Sequence, residues 1–394
     1  MGSSVPFPTL LTALTELDTR GLRRYRRTLQ SAQGAHVTVD GKNFIAFCSN
    51  DYLGLANHPA LIAAAQAGAA AYGVGAGASH LVLGHARAHA QLEEALAAFV
   101  GLPRALLFST GYMANLGIVT ALLGREDAVF ADRLNHASLN DACQLARAQF
   151  KRYAHHDLEQ LGRLLASTTA RRKMIGADAV FSMDGDIAPV PQLLALAERF
   201  DAWLLLDDAH GFGVLGASGR GVLEHFGVQH PRIIDMATLG KAAGVFGAFV
   251  AGDATLSEMV MQRARTYIYT TAMPPLLACT VCKSLELMAT GASLRKRLIE
   301  NIIQLKQLFN DTLPEGWRLL PSSTAIQPLL IGDNRMATVM AEQLAARGVL
   351  VPAIRPPTVP QGTARLRISL SAAHTAQDIS AMSDALIDAC KALY

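Results

Sequence analysis

Between about Phe44 and Gly252, short apolar runs alternate with longer segments of helical periodicity, and this alternation constrains the fold most. The expected strands are Ala105–Phe108, Ala128–Ala131, Ala179–Phe181, Trp203–Asp207 and Gly247–Ala251. Helical spacing marks Leu92–Val100, Met113–Leu123 and Pro191–Phe200. Strands and helices in turn predict a mostly parallel, doubly wound α/β sheet with its active site at the strands' carboxyl ends. Helical patterns over Leu256–Tyr267 and Leu294–Leu313 follow, the second leaving the large domain. Beyond them lies a smaller α+β unit, with strands Ile326–Ile331 and Arg365–Leu370 and helices Met336–Arg347 and Gln377–Leu393. Between its elements the prolines of Arg355–Pro360 fix a rigid loop suited to holding side chains over a site. At 394 residues the chain exceeds one simple core. The expected division is an N-terminal helical and strand segment over residues 1–48 that packs with the small domain, a large domain over 49–290 and a small C-terminal domain over 291–394.

The chain is 51% hydrophobic and 17% charged with 32 glycines, which suits a well-buried enzyme rather than a disordered or fibrous chain. A net charge of +3 argues against a nucleic-acid partner. Arg20, Arg23, Arg24, Arg26 and Arg27 form the one local cluster. It reads either as the solvated face of an N-terminal helix or as a grip on an anionic substrate. Five scattered cysteines and no secretory signal indicate a reduced, cytoplasmic compartment. Cys279 and Cys282 fall within an apolar helical pattern with no second ligand pair. The Ala-rich stretch Leu61–Ala71 is too short to span a bilayer, so no membrane partner is expected.

The chemistry concentrates in two motifs. Asp207-Asp208-Ala209-His210-Gly211 follows the apolar run Trp203–Leu206, and Thr238-Leu239-Gly240-Lys241 follows Ile233-Ile234. A lysine among small residues can lose its proton and form a Schiff base with an aldehyde. A carboxylate on the neighbouring strand end can keep a pyridine nitrogen protonated, so the pair matches the needs of pyridoxal phosphate (PLP). Ser109-Thr110-Gly111-Tyr112 opens a helix after the strand Ala105–Phe108, where it reads equally as a phosphate cradle or as an ordinary helix cap. Thr238 is a second hydroxyl for the phosphate. His136 could stack on the ring, and Ser182, at the end of the strand Ala179–Phe181, could join His210 at the ring's phenolic oxygen. Gly73, Gly75 and Gly77 do not make a dinucleotide fingerprint, and Lys241 is followed by alanine, which rules out a P-loop. His85 and His89 share a helix face without a third ligand nearby, so no metal site is expected.

With these residues the chain resembles the α-oxoamine synthase family of fold-type-I PLP-dependent transferases. The resemblance covers nearly the whole chain. It is carried by Ser49–Leu55, Asp132–Ser138, Phe181–Asp186, the Asp207 and Lys241 motifs, Tyr269–Pro275 and Ile354–Arg367. It implies that Lys241, Asp207, His136 and His210 are the catalytic group, with Lys241 as the Schiff-base lysine, Asp207 at the pyridine nitrogen and His136 on the ring. Ser182 and His210 hold the phenolic oxygen, and Gly111, Tyr112 and Thr238 lie at the cofactor. Thr270 or Thr271 would reach the phosphate from the partner subunit of a homodimer with shared sites. Arg23, His136 and Thr358 fall at substrate positions, and Arg367 at the arginine that binds the amino acid's carboxylate.

The implied reaction is a decarboxylative condensation of L-alanine with a pimeloyl thioester, an early step of biotin biosynthesis. The carrier, either coenzyme A or an acyl carrier protein, stays open. The alternative within the family joins glycine to an acetyl or succinyl thioester. An aminotransferase or aldolase is the more distant reading, and the presence of Lys241 speaks against a non-catalytic subunit. Asp178, Leu83 and Ala243 depart from the family's usual residues. All three are expected outside the cofactor set, with Leu83 able to alter the acyl channel.

Overall fold

A computed structural model describes residues 7–20, 22–310 and 312–393. An antiparallel hairpin, β1 (His36–Val39) and β2 (Lys42–Ala46), precedes the main sheet. That sheet has seven strands: β3 (Arg104–Phe108), β4 (Ala128–Asp132), β5 (Gln149–Tyr153), β6 (Lys173–Asp178), β7 (Ala202–Asp207), β8 (Ile233–Thr238) and β9 (Ala248–Gly252). Their order is β3-β9-β8-β7-β6-β4-β5, parallel from β8 to β5, with β9 antiparallel to both its neighbours. β10 (Arg318–Leu319), β11 (Ile326–Gly332), β12 (Val349–Leu350), β13 (Ala353–Ile354) and β14 (Ala364–Ser369) complete the set. β10-β11-β14-β13 form an antiparallel sheet, while β12 adds in parallel to β2.

The apolar runs that mark the central strands are buried because helices cover both faces of the sheet. Successive residues point to opposite sides, so Leu107, Leu204 and Leu206 enter one core while Leu106, Leu205 and Ile234 enter the other. The parallel strands deliver Asp132, Asp178, Asp207 and Thr238 to one end of the sheet, as their last residues.

Several sequence expectations shift. The strand expected at Ala179–Phe181 lies earlier, at Lys173–Asp178, because the ladder to β7 stops at the Asp178–Asp207 pair. Ala179–Phe181 is a buried turn entry: Val180 bridges Ile187, and Gly185, at φ +73°, reverses the chain. The helix expected over Leu256–Tyr267 breaks at Ala264 into Ala254–Arg263 and Arg265–Ile268. The pattern Leu294–Leu313 forms Ala292–Phe309. The arginine cluster is not a helix face. The N-terminal helix is Pro8–Thr19, Arg20 caps it, and Arg23 to Arg27 follow in irregular chain. Edge strand β5 escaped the reading because Gln149, Lys151 and Arg152 interrupt any apolar run.

Candidate active site

A pocket of about 200 Å³ opens at the carboxyl ends of the parallel strands. Gly111, Tyr112, His136, Ser182, Asp207, His210, Thr238 and Lys241 all line it. They arrive at or just after strand ends: Asp207 and Thr238 end β7 and β8, Gly111 and Tyr112 open the helix after β3, and His136, Ser182, His210 and Lys241 follow β4, β6, β7 and β8.

The Lys241 Nζ lies 3.0 Å from His210 Nε2, and His210 Nδ1 lies 2.6 Å from the Tyr52 hydroxyl. Tyr52 donates its single proton to Asn50 Oδ1 at 3.1 Å. His210 must then donate Nδ1–H to Tyr52, which leaves Nε2 as the acceptor for Lys241. Burial keeps the His210 imidazole well below its usual range, with the Lys241 charge acting in the same sense. Burial also lowers the Lys241 amine to about 8, opposed by Asp207 and Asp178.

Asp207 is fixed by Ala209 N–H on Oδ1 at 3.1 Å and by Asn115 Nδ2 on Oδ2 at 2.8 Å. Asn115 also reaches Ser138 Oγ at 2.9 Å, and Ser138 Oγ lies 2.7 Å from His136 Nδ1. One buried amide therefore orients both the carboxylate and the imidazole. The His136 backbone N–H donates to both oxygens of Asp178, at 3.1 and 3.0 Å. Asp178 thus lines the pocket instead of standing outside the cofactor set. Its carboxyl lies well above the carboxylate range, through burial first and the Asp207 charge second.

At the anion end, Thr110 caps the helix Gly111–Leu122, its Oγ1 accepting from Met113 N–H at 3.2 Å. The cap is therefore formed, and the helix's first residues, Gly111 and Tyr112, also face the pocket. Thr238 Oγ1 is buried with no partner. A Cβ on Gly111 would come within 2.6 Å of Thr238 Cγ2. An orphaned hydroxyl beside a helix N-terminus that admits no side chain fits a phosphate.

The remaining candidates lie elsewhere. Arg367 on β14 donates from Nε to the Ser182 carbonyl at 2.6 Å, and from Nη1 to Ser369 Oγ at 2.8 Å and Asn50 Oδ1 at 3.3 Å. Arg23 and Thr358 line a separate cleft of about 690 Å³ with Leu14, Leu17 and Ile354, and there Arg23 pairs with Asp18 at 2.5 Å. Thr270 and Thr271 do not line their own chain's pocket, and Leu83 is 86% exposed, away from it. His85 precedes the helix Arg87–Val100 that carries His89, so the two share no helix face; His80 is the third imidazole that sequence inspection overlooked. His89 is committed to backbone on both ring nitrogens: Ala86 N–H donates to Nδ1 at 2.9 Å, and Nε2–H donates to the Met273 carbonyl at 2.8 Å. Tyr52 and Asn115 also went unassigned. Tyr52 lies in the quoted Ser49–Leu55 motif, which was the available signal; for Asn115, inside a helix, no local pattern marks a role.

The family described as aminotransferase class I and II matches residues 42–386. A curated 8-amino-7-oxononanoate synthase of Nitrosospira multiformis is 63% identical over 367 residues, covering 93% of this chain and 92% of the relative. One from Nitrosomonas eutropha is 61% identical over 384 residues, covering 97% and 98%. The chain belongs to the 8-amino-7-oxononanoate synthase family. Among solved structures, a serine palmitoyltransferase from S. paucimobilis with a bound PLP–myriocin aldimine superposes with a TM-score of 0.91 at 31% identity, covering 100% of this chain and 99% of that one. An 8-amino-7-oxononanoate synthase from Francisella tularensis gives a TM-score of 0.77 at 31% identity, covering 89% and 99%. Like the rest of this synthase family, the chain is a PLP-dependent enzyme with the fold-type-I architecture. No helix among the described residues is long and apolar enough to cross a membrane.

Proposed function

We propose that the chain condenses L-alanine with a pimeloyl thioester to give 8-amino-7-oxononanoate, carbon dioxide and a free thiol. The observation that carries this reading is the buried Lys241 amine, 3.0 Å from a neutral histidine and in one pocket with Asp207. When bound, PLP supplies an aldehyde for amine capture and a ring that accepts electrons. Lys241 would hold the cofactor at rest, and its free amine would take the α-proton of the amino acid. Asp207 would pair with the pyridine nitrogen, His136 would lie against the ring, and Ser182 and His210 would hold its phenolic oxygen. Gly111, Tyr112 and Thr238 would hold the phosphate. Arg367, with three hydrogen bonds fixing its plane, grips the amino acid's carboxylate. The α-carbon then bonds to the acyl carbon while the C–S bond breaks. The carboxylate leaves as carbon dioxide, and Lys241 returns a proton to the same carbon.

The acyl chain takes the cleft that holds Arg23 and Thr358, where leucines line the wall and Arg23 offers a charge to an acidic chain end. Reaching that carboxylate means displacing Asp18 from Arg23. The enzyme works as a homodimer in which Thr270 or Thr271 completes the partner's phosphate site. Exposed Val74, Val82, Leu83 and Tyr269 support an apolar contact there. Five unpaired cysteines support a cytoplasmic setting. The division into residues 1–48, 49–290 and 291–394 is supported by β12 pairing with β2, which joins the N-terminal segment to the small unit.

The test is thiol release by the PLP-loaded protein given pimeloyl-CoA with L-alanine or with glycine. Release with alanine alone is expected. Release with glycine and an acetyl or succinyl thioester instead would overturn the assignment. Repeating the assay with the pimeloyl carrier protein assigns the carrier.

A further inference from the structure

Four residues outside the pocket form a compact ionic cluster, and its geometry points to a role in amino-acid binding. His155 stands between two carboxylates, with Nδ1 3.1 Å from Asp132 Oδ1 and Nε2 2.9 Å from Asp186 Oδ2. The His156 ring stacks on it with centroids 3.9 Å apart, and the Phe181 ring meets it edge-on at 4.5 Å. Asp132 is buried and ends β4. It also accepts from Leu134 N–H at 2.9 Å and His156 N–H at 3.1 Å, so it ties down the loop that leads to His136. Asp186 closes the opposite loop, its carbonyl accepting from Phe181 N–H at 3.0 Å.

We propose that His155 is a positioning residue, an imidazolium clamp that sets the distance between the His136 loop and the Phe181–Asp186 loop. The second loop carries Ser182, whose carbonyl orients Arg367 at 2.6 Å. Other side-chain anchors of this loop come from the C-terminal region: Ser322 and Thr324 on the Gly185 carbonyl at 2.8 and 3.0 Å, and Arg365 on Asp184 at 2.6 Å. From the large domain, His155 and His156, just after β5, both reach Asp186, at 2.9 and 3.3 Å, and His155 is the one whose side chain also holds Asp132. Without it the loop, and Arg367 with it, leans on the C-terminal unit. The carboxylate grip then loosens while the Lys241–His210–Tyr52 chain stays intact. Asp132, His155 and His156 also have the spacing of a metal site. Both His155 nitrogens, however, face carboxylates as donors, and its pKa is raised to about 10 by those carboxylates against the cost of burial. A bound proton, not a metal ion, is what joins the two.

This inference rests on the proposed reading only in taking Arg367 as the carboxylate site. The experiment is absorbance titration of PLP-loaded wild type, His155→Gln and Asp186→Asn with L-alanine and with glycine, needing no acyl thioester. His155→Gln is expected to weaken both amino acids about tenfold, with PLP content unchanged. Asp186→Asn, which loses one charge but keeps a hydrogen-bond acceptor, is expected to fall between it and wild type. Unchanged amino-acid affinity in His155→Gln overturns the proposal, as does PLP affinity falling in step, which marks a merely structural cluster. If His155→Gln does not fold, unchanged affinity in Asp186→Asn overturns it equally. A wild type that answers to glycine and not to alanine sinks the alanine reading and leaves the clamp still measured on glycine.

Discussion

Lys241 has an imidazole, not a carboxylate, as its hydrogen-bond partner, and burial brings its amine down to about 8. Only the neutral amine attacks an aldehyde, so its fraction rises with pH through that value: about a tenth at pH 7 and about nine-tenths at pH 9. Mixing apo-protein with PLP across this range should give an absorbance rate that climbs about tenfold per unit below pH 8 and then levels. A flat profile would show that the amine is neutral throughout. Lys241→Ala should still bind the amino acid on PLP-loaded protein but lose turnover by about a thousandfold or more, read by thiol release. Activity near wild type in that variant contradicts the proton-transfer role. That Lys241, Asp207, His136 and His210 meet in one pocket was legible in the sequence because all four fall at or just after the ends of apolar strands. Asp178 was not. With the strand expected at Ala179–Phe181, it stood ahead of a strand rather than at a carboxyl end, and only the fold turns it toward the His136 backbone.

The phosphate end of the pocket is built by a junction of elements. β3 hands over to the helix Gly111–Leu122 beside the end of β8, and Gly111 packs directly against Thr238 there. Gly111→Ala adds a methyl 2.6 Å from Thr238 Cγ2. Alanine favours helix by up to about 1 kcal/mol, so any loss comes from displacing Thr238 rather than from the helix. PLP affinity by equilibrium dialysis is expected to fall about tenfold, and an unchanged value removes Gly111 and Thr238 from the phosphate site. At this scale the sequence was legible where strands are buried on both faces. It misled where burial has another cause: Ala179–Phe181 is buried beyond the end of the β6–β7 ladder, with Phe181 packed against the His155 and His156 rings, and does not pair in the sheet. The hairpin β1–β2 went unread since its strands are short and half polar, and their partner β12 lies some three hundred residues away in the chain.

The Thr270–Thr271 segment turns away from its own pocket while remaining tied to the loop that precedes His80. Ala272 N–H donates to the Ala78 carbonyl at 2.9 Å, and His89 anchors Met273 from the adjoining helix. Val74, Val82, Leu83 and Tyr269 stand exposed on these two segments. An apolar surface beside threonine hydroxyls that no local pocket uses is what the proposed two-fold shared site requires, because each copy would then give the other what it lacks. Complementation tests this directly. Lys241→Ala and a Thr270→Ala/Thr271→Ala double variant should each be weak alone. In a mixed dimer one site collects both defects, and the other receives an intact lysine from one chain and intact threonines from its partner. Random reassociation of equal amounts makes half the dimers mixed, so about a quarter of wild-type activity should return on mixing after dissociation. If the site were complete within one chain, no pairing could join a good lysine to good threonines, and mixing would restore nothing.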